Sequence, residues 1–290
     1  DVDGSVRTLL KKELELFTGD ILLNNKPVTE LLTADYTYLN ERLALHYSMP
    51  DIKGDEFRKV KLDDELRYGL LGKGGILMAS SYPDRTSPVL RGAYVLEYIM
   101  GTPPPLPPPN VEALLENKPG ARPMSIKERL AMHRTNPSCS GCHGFIDPLG
   151  FALEGFDAVG RERTVDRFVG QKVDTFGVLP DGQAISGTAD LRNALMQRPE
   201  LFVENMTRKL TLYALGRPVE AVDMPLVRSV VAKAKRNGFR FFDLVQGIVN
   251  SDQFRYVQAI DESHAVSQAM PEAQENLPGA VSGTQVVATQ

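Results

Sequence analysis

Cys139-Ser140-Gly141-Cys142-His143 is a Cys-x-x-Cys-His run, the attachment signal for a c-type haem. Two thiols spaced this way can each add across one haem vinyl group, and the next residue then sets an imidazole nitrogen beneath the iron. His143 is the candidate proximal ligand. Cys139 and Cys142 are the only cysteines in 290 residues, so the spacing predicts one covalent haem c. Three other uses of a cysteine pair compete with this one. A structural zinc site takes four ligands, usually as two pairs, and His46, His133 and His264 supply no His-x-x-x-His partner. A thioredoxin-like pair wants a strand-then-helix context, whereas this pair follows Asn136-Pro137 in what reads as a loop. A plain disulfide stays open.

The flanks of the motif supply candidates for the second iron ligand. Ser125-Ile126-Lys127-Glu128 is a capping box that opens a helix to about Arg134, stopped by Asn136-Pro137. Ile126, Leu130 and His133 share one face of it. His133 therefore points inward ten residues before His143, enough chain to pass between haem faces at about 3.3 Å per extended residue. His46 is the alternative distal ligand. It lies on a helix expected over 36–47 with Asp35 as N-cap, where Leu39, Leu43 and His46 share a face; a histidine so placed is most often a satisfied core residue. Met78, Met196 and Met206 come third. Arg85 and Arg91 flank a helix expected from Pro88 to about Met100. The favoured reading is two solvated arginines, and the functional one a pair of haem-propionate partners, because guanidinium matches carboxylate geometry. After the motif, Asp147-Pro148 reads as N-cap and first residue of a helix over 149–156.

Elsewhere the pattern is helical. Leu9, Leu10, Leu14 and Phe17 fall at helical spacing before a stop at Gly19-Asp20, and Pro27 and Thr29 open a second helical stretch. Residues 57–62 read as a short strand. Gly69-Leu70-Leu71-Gly72-Lys73-Gly74-Gly75 fails the phosphate-loop spacing and reads as a flexible turn. The prolines at 103–105 and 107–109 predict a polyproline spacer. Residues 162–187 read as strand and turn, with Leu179-Pro180-Asp181-Gly182 as a turn. Helices follow over 188–197, from Pro199 to a stop at Gly216, and over 225–237 and 241–250. The fold class is thus mainly α: a cytochrome-c-like helical haem domain with a small strand/turn insertion and flanking helical segments. The division expected is an N-terminal helical region at 1–61 ending a larger upstream domain, a haem-binding region at 62–160, a mostly helical region at 161–257, and a polar, disordered tail at 258–290.

The net charge of −4 gives no electrostatic case for nucleic acid or an anionic membrane. No apolar run is long enough to span a bilayer. Asp1-Val2-Asp3-Gly4-Ser5 is not a signal peptide, yet haem is joined to Cys-x-x-Cys-His outside the bacterial inner membrane. The expectation is a periplasmic or otherwise extracytoplasmic chain whose leader and upstream region are missing.

Several long segments occur together in a recognisable order: 35–47, 81–92, His133-Arg134-Thr135-Asn136-Pro137-Ser138-Cys139-Ser140-Gly141-Cys142-His143, Asp147-Pro148-Leu149-Gly150-Phe151-Ala152-Leu153-Glu154, and Leu212-Tyr213-Ala214-Leu215-Gly216-Arg217. Over roughly residues 5–257 the chain resembles the planctomycete-type cytochrome c proteins, which carry the domain-of-unknown-function series DUF1592, DUF1588 and DUF1585 around one haem motif. The resemblance implies secretion, one covalent haem, a mainly helical build, and histidines at the positions of His46 and His133. It supplies no reaction. Members usually have further upstream domains, so a companion chain or a processed precursor is the expected partner. Two functions follow. One is a mono-haem electron-transfer protein, serving a redox partner protein and with no open iron position. The other is a haem enzyme, peroxidase-like or substrate-oxidising, in which His133 or His46 is an acid–base group beside an open distal site.

Overall fold

A computed structural model describes residues 4–106, 114, 120, 122–167 and 169–256. The chain through Arg255 forms one unit, and of the second, Tyr256–Gln290, only Tyr256 is described; the expected tail at 258–290 lies outside the described residues. The fold is mainly α. Helix α1 (Gly4–Leu23) runs past the expected stop at Gly19-Asp20. The apolar stripe explains this, since Leu10, Phe17 and Ile21 are all fully buried and Ile21 extends it beyond the glycine.

Helix α2 (Glu30–Thr33) is one turn long. Next, Tyr36–Leu39 is strand β1 rather than the start of a helix, and pairs antiparallel with β2 (Arg58–Lys61). Tyr-Thr-Tyr-Leu is an aromatic and β-branched run suited to a half-buried strand. The N-cap therefore moves to Asn40, whose side chain accepts from the Leu43 amide at 3.0 Å and opens α3 (Glu41–His46). The expected strand at 57–62 is β2.

The glycine-rich stretch at 69–75 is packed, not flexible. Gly69 sits at φ 62° against the Leu32 backbone, where a Cβ would overlap the Leu32 carbonyl. Lys73 precedes α4 (Gly74–Ala79) and is buried to 1% exposure. Around it lies a polar core linking α1, β1, α3 and α4. The buried Glu13 carboxylate accepts from Thr37 Oγ1 at 2.5 Å and from Tyr47 Oη at 2.6 Å, and Tyr47 Oη accepts from the Gly74 amide at 2.8 Å. Lys73 Nζ donates to the Tyr36 carbonyl at 3.3 Å and lies 4.5 Å from the Phe17 ring.

Helix α5 (Pro88–Tyr94) is capped by Ser87 and continues as a π-helical turn over Val95–Met100. Thr102–Leu106 has no regular element, and Pro107–Pro109 of the expected spacer lie outside the described residues. Helix α6 (Ile126–His133) leads into α7 (Pro137–Phe151). Helices α5 and α7 cross at two glycines. A Cβ on Gly92 would overlap the Ile146 carbonyl, and one on Gly150 the Pro88 carbonyl, so only glycine lets the two backbones meet.

Hairpins β3–β4 (Val165–Asp166, Gln171–Lys172) and β5–β6 (Phe176–Val178, Ala184–Ser186) follow. Helices α8 (Gly187–Met196), α9 (Pro199–Leu215), α10 (Met224–Lys235), α11 (Phe241–Val249) and the short α12 (Asp252–Arg255) complete the elements of the described residues. One apolar core takes Phe17, Leu32, Val95, Ile99, Leu149, Phe156, Leu191, Val203 and Leu244 from all three expected regions. The first and last regions also join directly, as the Val28 amide donates to the Phe239 carbonyl at 2.8 Å.

Candidate functional site

The Cys-x-x-Cys-His run is on a helix, not in a loop. Asn136 is extended (φ −76°, ψ 119°) and its side chain accepts from the Ser138 amide at 3.0 Å, while Pro137 takes the first helical position. Both features open a helix, so Asn136-Pro137 ends α6 and begins α7 at once. Residues i, i+3 and i+4 of a helix share a face, which puts Cys139, Cys142 and His143 side by side. Cys139 is buried, Cys142 is half-buried, and both thiols are free. Ile146 and Leu149 continue the face as buried apolar surface.

Asp147-Pro148 does not start a new helix. It lies inside α7, although Pro148 has no N–H to give the Gly144 carbonyl. Burial of Ile146, Leu149 and Phe151 in the core offsets that loss. Because the helix is continuous, Asp147 falls one turn after His143, and His143 Nδ1 lies 2.8 Å from Asp147 Oδ1. With a carboxylate as acceptor, Nδ1 carries the proton and Nε2 is left as the donor atom for a metal. The Asp147 side chain is fully buried, its Oδ2 has no hydrogen-bond partner, and Arg134 Nε stands 3.7 Å from that oxygen. Burial pushes the Asp147 carboxyl up from its ordinary value, outweighing the pull of His143, Arg134 and His133.

His133 is the last residue of α6. Its ring lies 4.9 Å from the His143 ring, centroid to centroid, at 74°. Helix α6 is fixed by its capping box, in which Ser125 Oγ accepts from the Glu128 amide at 3.2 Å and Glu128 Oε2 accepts from the Ser125 amide at 2.7 Å. Lys127 Nζ ties it to the β5 region through Asp174 Oδ2 at 2.6 Å and the Phe176 carbonyl at 2.7 Å. The structure thus brings together two of the three histidines named as ligands.

The other candidates are placed elsewhere. His46 is 6% exposed, with Nε2 2.8 Å from the Val159 carbonyl and Nδ1 accepting from Arg161 Nε at 3.2 Å. Both ring nitrogens are engaged within the core, which leaves none for iron, and burial lowers the pKa so that the ring favours its neutral form. Arg91 is neither solvated nor available to a propionate. It is fully buried and donates to the carbonyls of Leu153 (2.7 Å), Phe156 (2.9 Å) and Asp157 (2.8 Å), to Glu154 Oε1 (2.9 Å) and to Ser81 Oγ (3.2 Å). It ties the turn after α7 to α5. Arg85 is exposed, paired with Asp84 at 3.1 Å and stacked on Tyr82 at 4.6 Å. Met78, Met196 and Met206 pack against the apolar core. Among the described residues no group of three or more His, Cys, Asp or Glu side chains is placed to hold a metal ion.

Sequence reasoning missed Asp147 and Arg134. The His-x-x-x-Asp spacing of a helical pair was present, but the proline hid it.

Together these features define a mainly α protein built around a helix that presents two free thiols and an imidazole held by a buried carboxylate. Family models for three proteins of unknown function match it in succession, DUF1592 over residues 1–49, DUF1588 over 67–166 and DUF1585 over 181–254. The chain belongs to the proteins that carry this planctomycete cytochrome-c-associated series. No curated protein and no solved structure matches it.

Proposed function

We propose that the chain is a mono-haem c-type cytochrome that passes single electrons to or from a redox partner protein outside the cytoplasm. The observation that carries this reading is the meeting of His133 and His143 beside two free thiols on one helix face. The donor set fits a covalent haem c. Cys139 and Cys142 would form the thioethers, His143 would ligate through Nε2, and His133 would be the second ligand. When bound, the haem supplies a one-electron couple. Asp147 orients the His143 ring, while buried Ile146 and Leu149 keep water from the same face. No helix among the described residues is long and apolar enough to cross a membrane.

A second reading rests on the angle of the two rings. They meet edge to face at 4.9 Å, so His133 would have to turn and withdraw before both rings could hold one iron. If it does not ligate, His133 stands by an open position as an acid–base group, and the protein is a haem enzyme.

One experiment decides. The chain is produced in a host that matures c-type cytochromes, its mass is taken, and the reduced spectrum is recorded with and without carbon monoxide. The carrier gains one haem and keeps a low-spin spectrum under carbon monoxide, while His133→Ala binds the gas and shifts the Soret band. A wild-type shift favours the enzyme. A mass equal to the polypeptide alone overturns both readings.

A further inference from the structure

We infer that Asp147 sets the redox potential of the site, its carboxylate favouring the oxidised metal through the His143 imidazole. This rests on the haem reading above. A carboxylate with no exposed surface is costly to keep, and the fold gives this one little in return. Oδ1 has the His143 Nδ1 proton, while Oδ2 has no donor and only Arg134 at 3.7 Å. A purely structural His–Asp pair one helical turn apart belongs on a solvated face. Here the Asp147 side chain has no exposed surface and faces the ring whose other nitrogen is the candidate ligand. Hydrogen bonding to a carboxylate raises the basicity of a ligating imidazole, and low local dielectric strengthens the charge effect.

The couple is simple to balance. With haem held by Cys139, Cys142 and His143, one electron would pass from the reduced partner to iron(III), giving iron(II). No bond in the chain breaks, and the Nδ1 proton stays in place. The oxidised metal carries one more positive charge, so a nearby anion stabilises it more than the reduced one. The titratable and charged groups facing Asp147 are His143, Arg134 and His133. Arg134 opposes the carboxylate in its effect on the metal.

Asp147→Asn keeps an oxygen to accept from Nδ1 and removes the charge. The test is spectroelectrochemical titration of haem-loaded wild type, Asp147→Asn and Arg134→Gln. We expect the iron(III)/iron(II) equilibrium in Asp147→Asn to move at least tenfold toward iron(II), about 59 mV for one electron. Arg134→Gln should move it the opposite way. A haem-loaded Asp147→Asn within threefold of wild type overturns the inference while leaving the cytochrome reading intact. If Asp147→Asn does not load haem, Arg134→Gln decides alone, and an unchanged potential there overturns it. A wild-type chain without haem mass removes the underlying reading instead, and the inference with it.

Discussion

Removing the Glu13 carboxylate should cost the fold several kcal/mol. The Glu13 side chain is fully buried. Glu13→Ala leaves the hydroxyls of Thr37 and Tyr47 without their acceptor, at about 1–3 kcal/mol for each unpaired buried group. It also takes the opposing charge away from Lys73, itself 1% exposed. Breaking a buried charged contact by removing one partner typically costs about 3–5 kcal/mol. The groups are coupled, so the losses do not add, and about 4 kcal/mol is the expected total. For a unit of this size that is a melting-temperature drop on the order of 10 °C. The assay is urea unfolding followed by far-UV circular dichroism at pH 7, with Glu15→Ala as control. Glu15 is on the same helix with a half-exposed side chain, and its loss should stay within about 0.5 kcal/mol. Glu13→Gln keeps one acceptor oxygen and should fall between the two. A Glu13→Ala protein within about 1 kcal/mol of wild type would refute the claim that this carboxylate organises the polar core.

Two further outcomes concern the core and the helix crossing. Burial pushes the Lys73 amine down to about 8 from its ordinary 10.5; between those values the unfolded chain holds the extra proton, so Lys73 makes stability rise with pH across that window. The rise is on the order of 3 kcal/mol, and comparing urea midpoints of wild type and Lys73→Met from pH 7.5 to 10 should show it lost in the variant. Within α7, Gly150→Ala forces a Cβ into the Pro88 carbonyl and should destabilise by at least about 3 kcal/mol, whereas Gly144→Ala meets nothing within 4 Å and should stabilise by about 0.5–1 kcal/mol; thermal melts of both variants check the contrast.

The helices that announce their own ends were legible. Ser125 and Glu128 form the capping box seen in the sequence, and Pro199 and Gly216 bound α9. What escaped depends on distant partners. Tyr36–Leu39 is a strand because Arg58–Lys61 lies beside it, and nothing within 36–47 reveals that neighbour. Arg91 reads as a surface arginine until the carbonyls of Leu153, Phe156 and Asp157, over sixty residues on, close around it. His46 is spent on Val159 and Arg161 for the same reason.

The candidate site divides along this line, and the division follows from chemistry. Cys139, Cys142 and His143 are readable because their reactive groups must be neighbours in the chain to serve one small target, and helical spacing supplies the shared face. His133 was readable because one short turn links α6 to α7, so its approach to His143 is nearly a local event. Asp147 was hidden although it lies only four residues from His143. Pro148 is a local signal for breaking a helix, and the burial of Ile146, Leu149 and Phe151 together with the close crossing of α5 over α7 at Gly92 and Gly150 outweighs it. The packing that overrides the proline is thus also what brings a buried carboxylate under the imidazole. Loosening that crossing should therefore disturb the His143–Asp147 contact before it disturbs the cysteines, which need only the first turns of the helix.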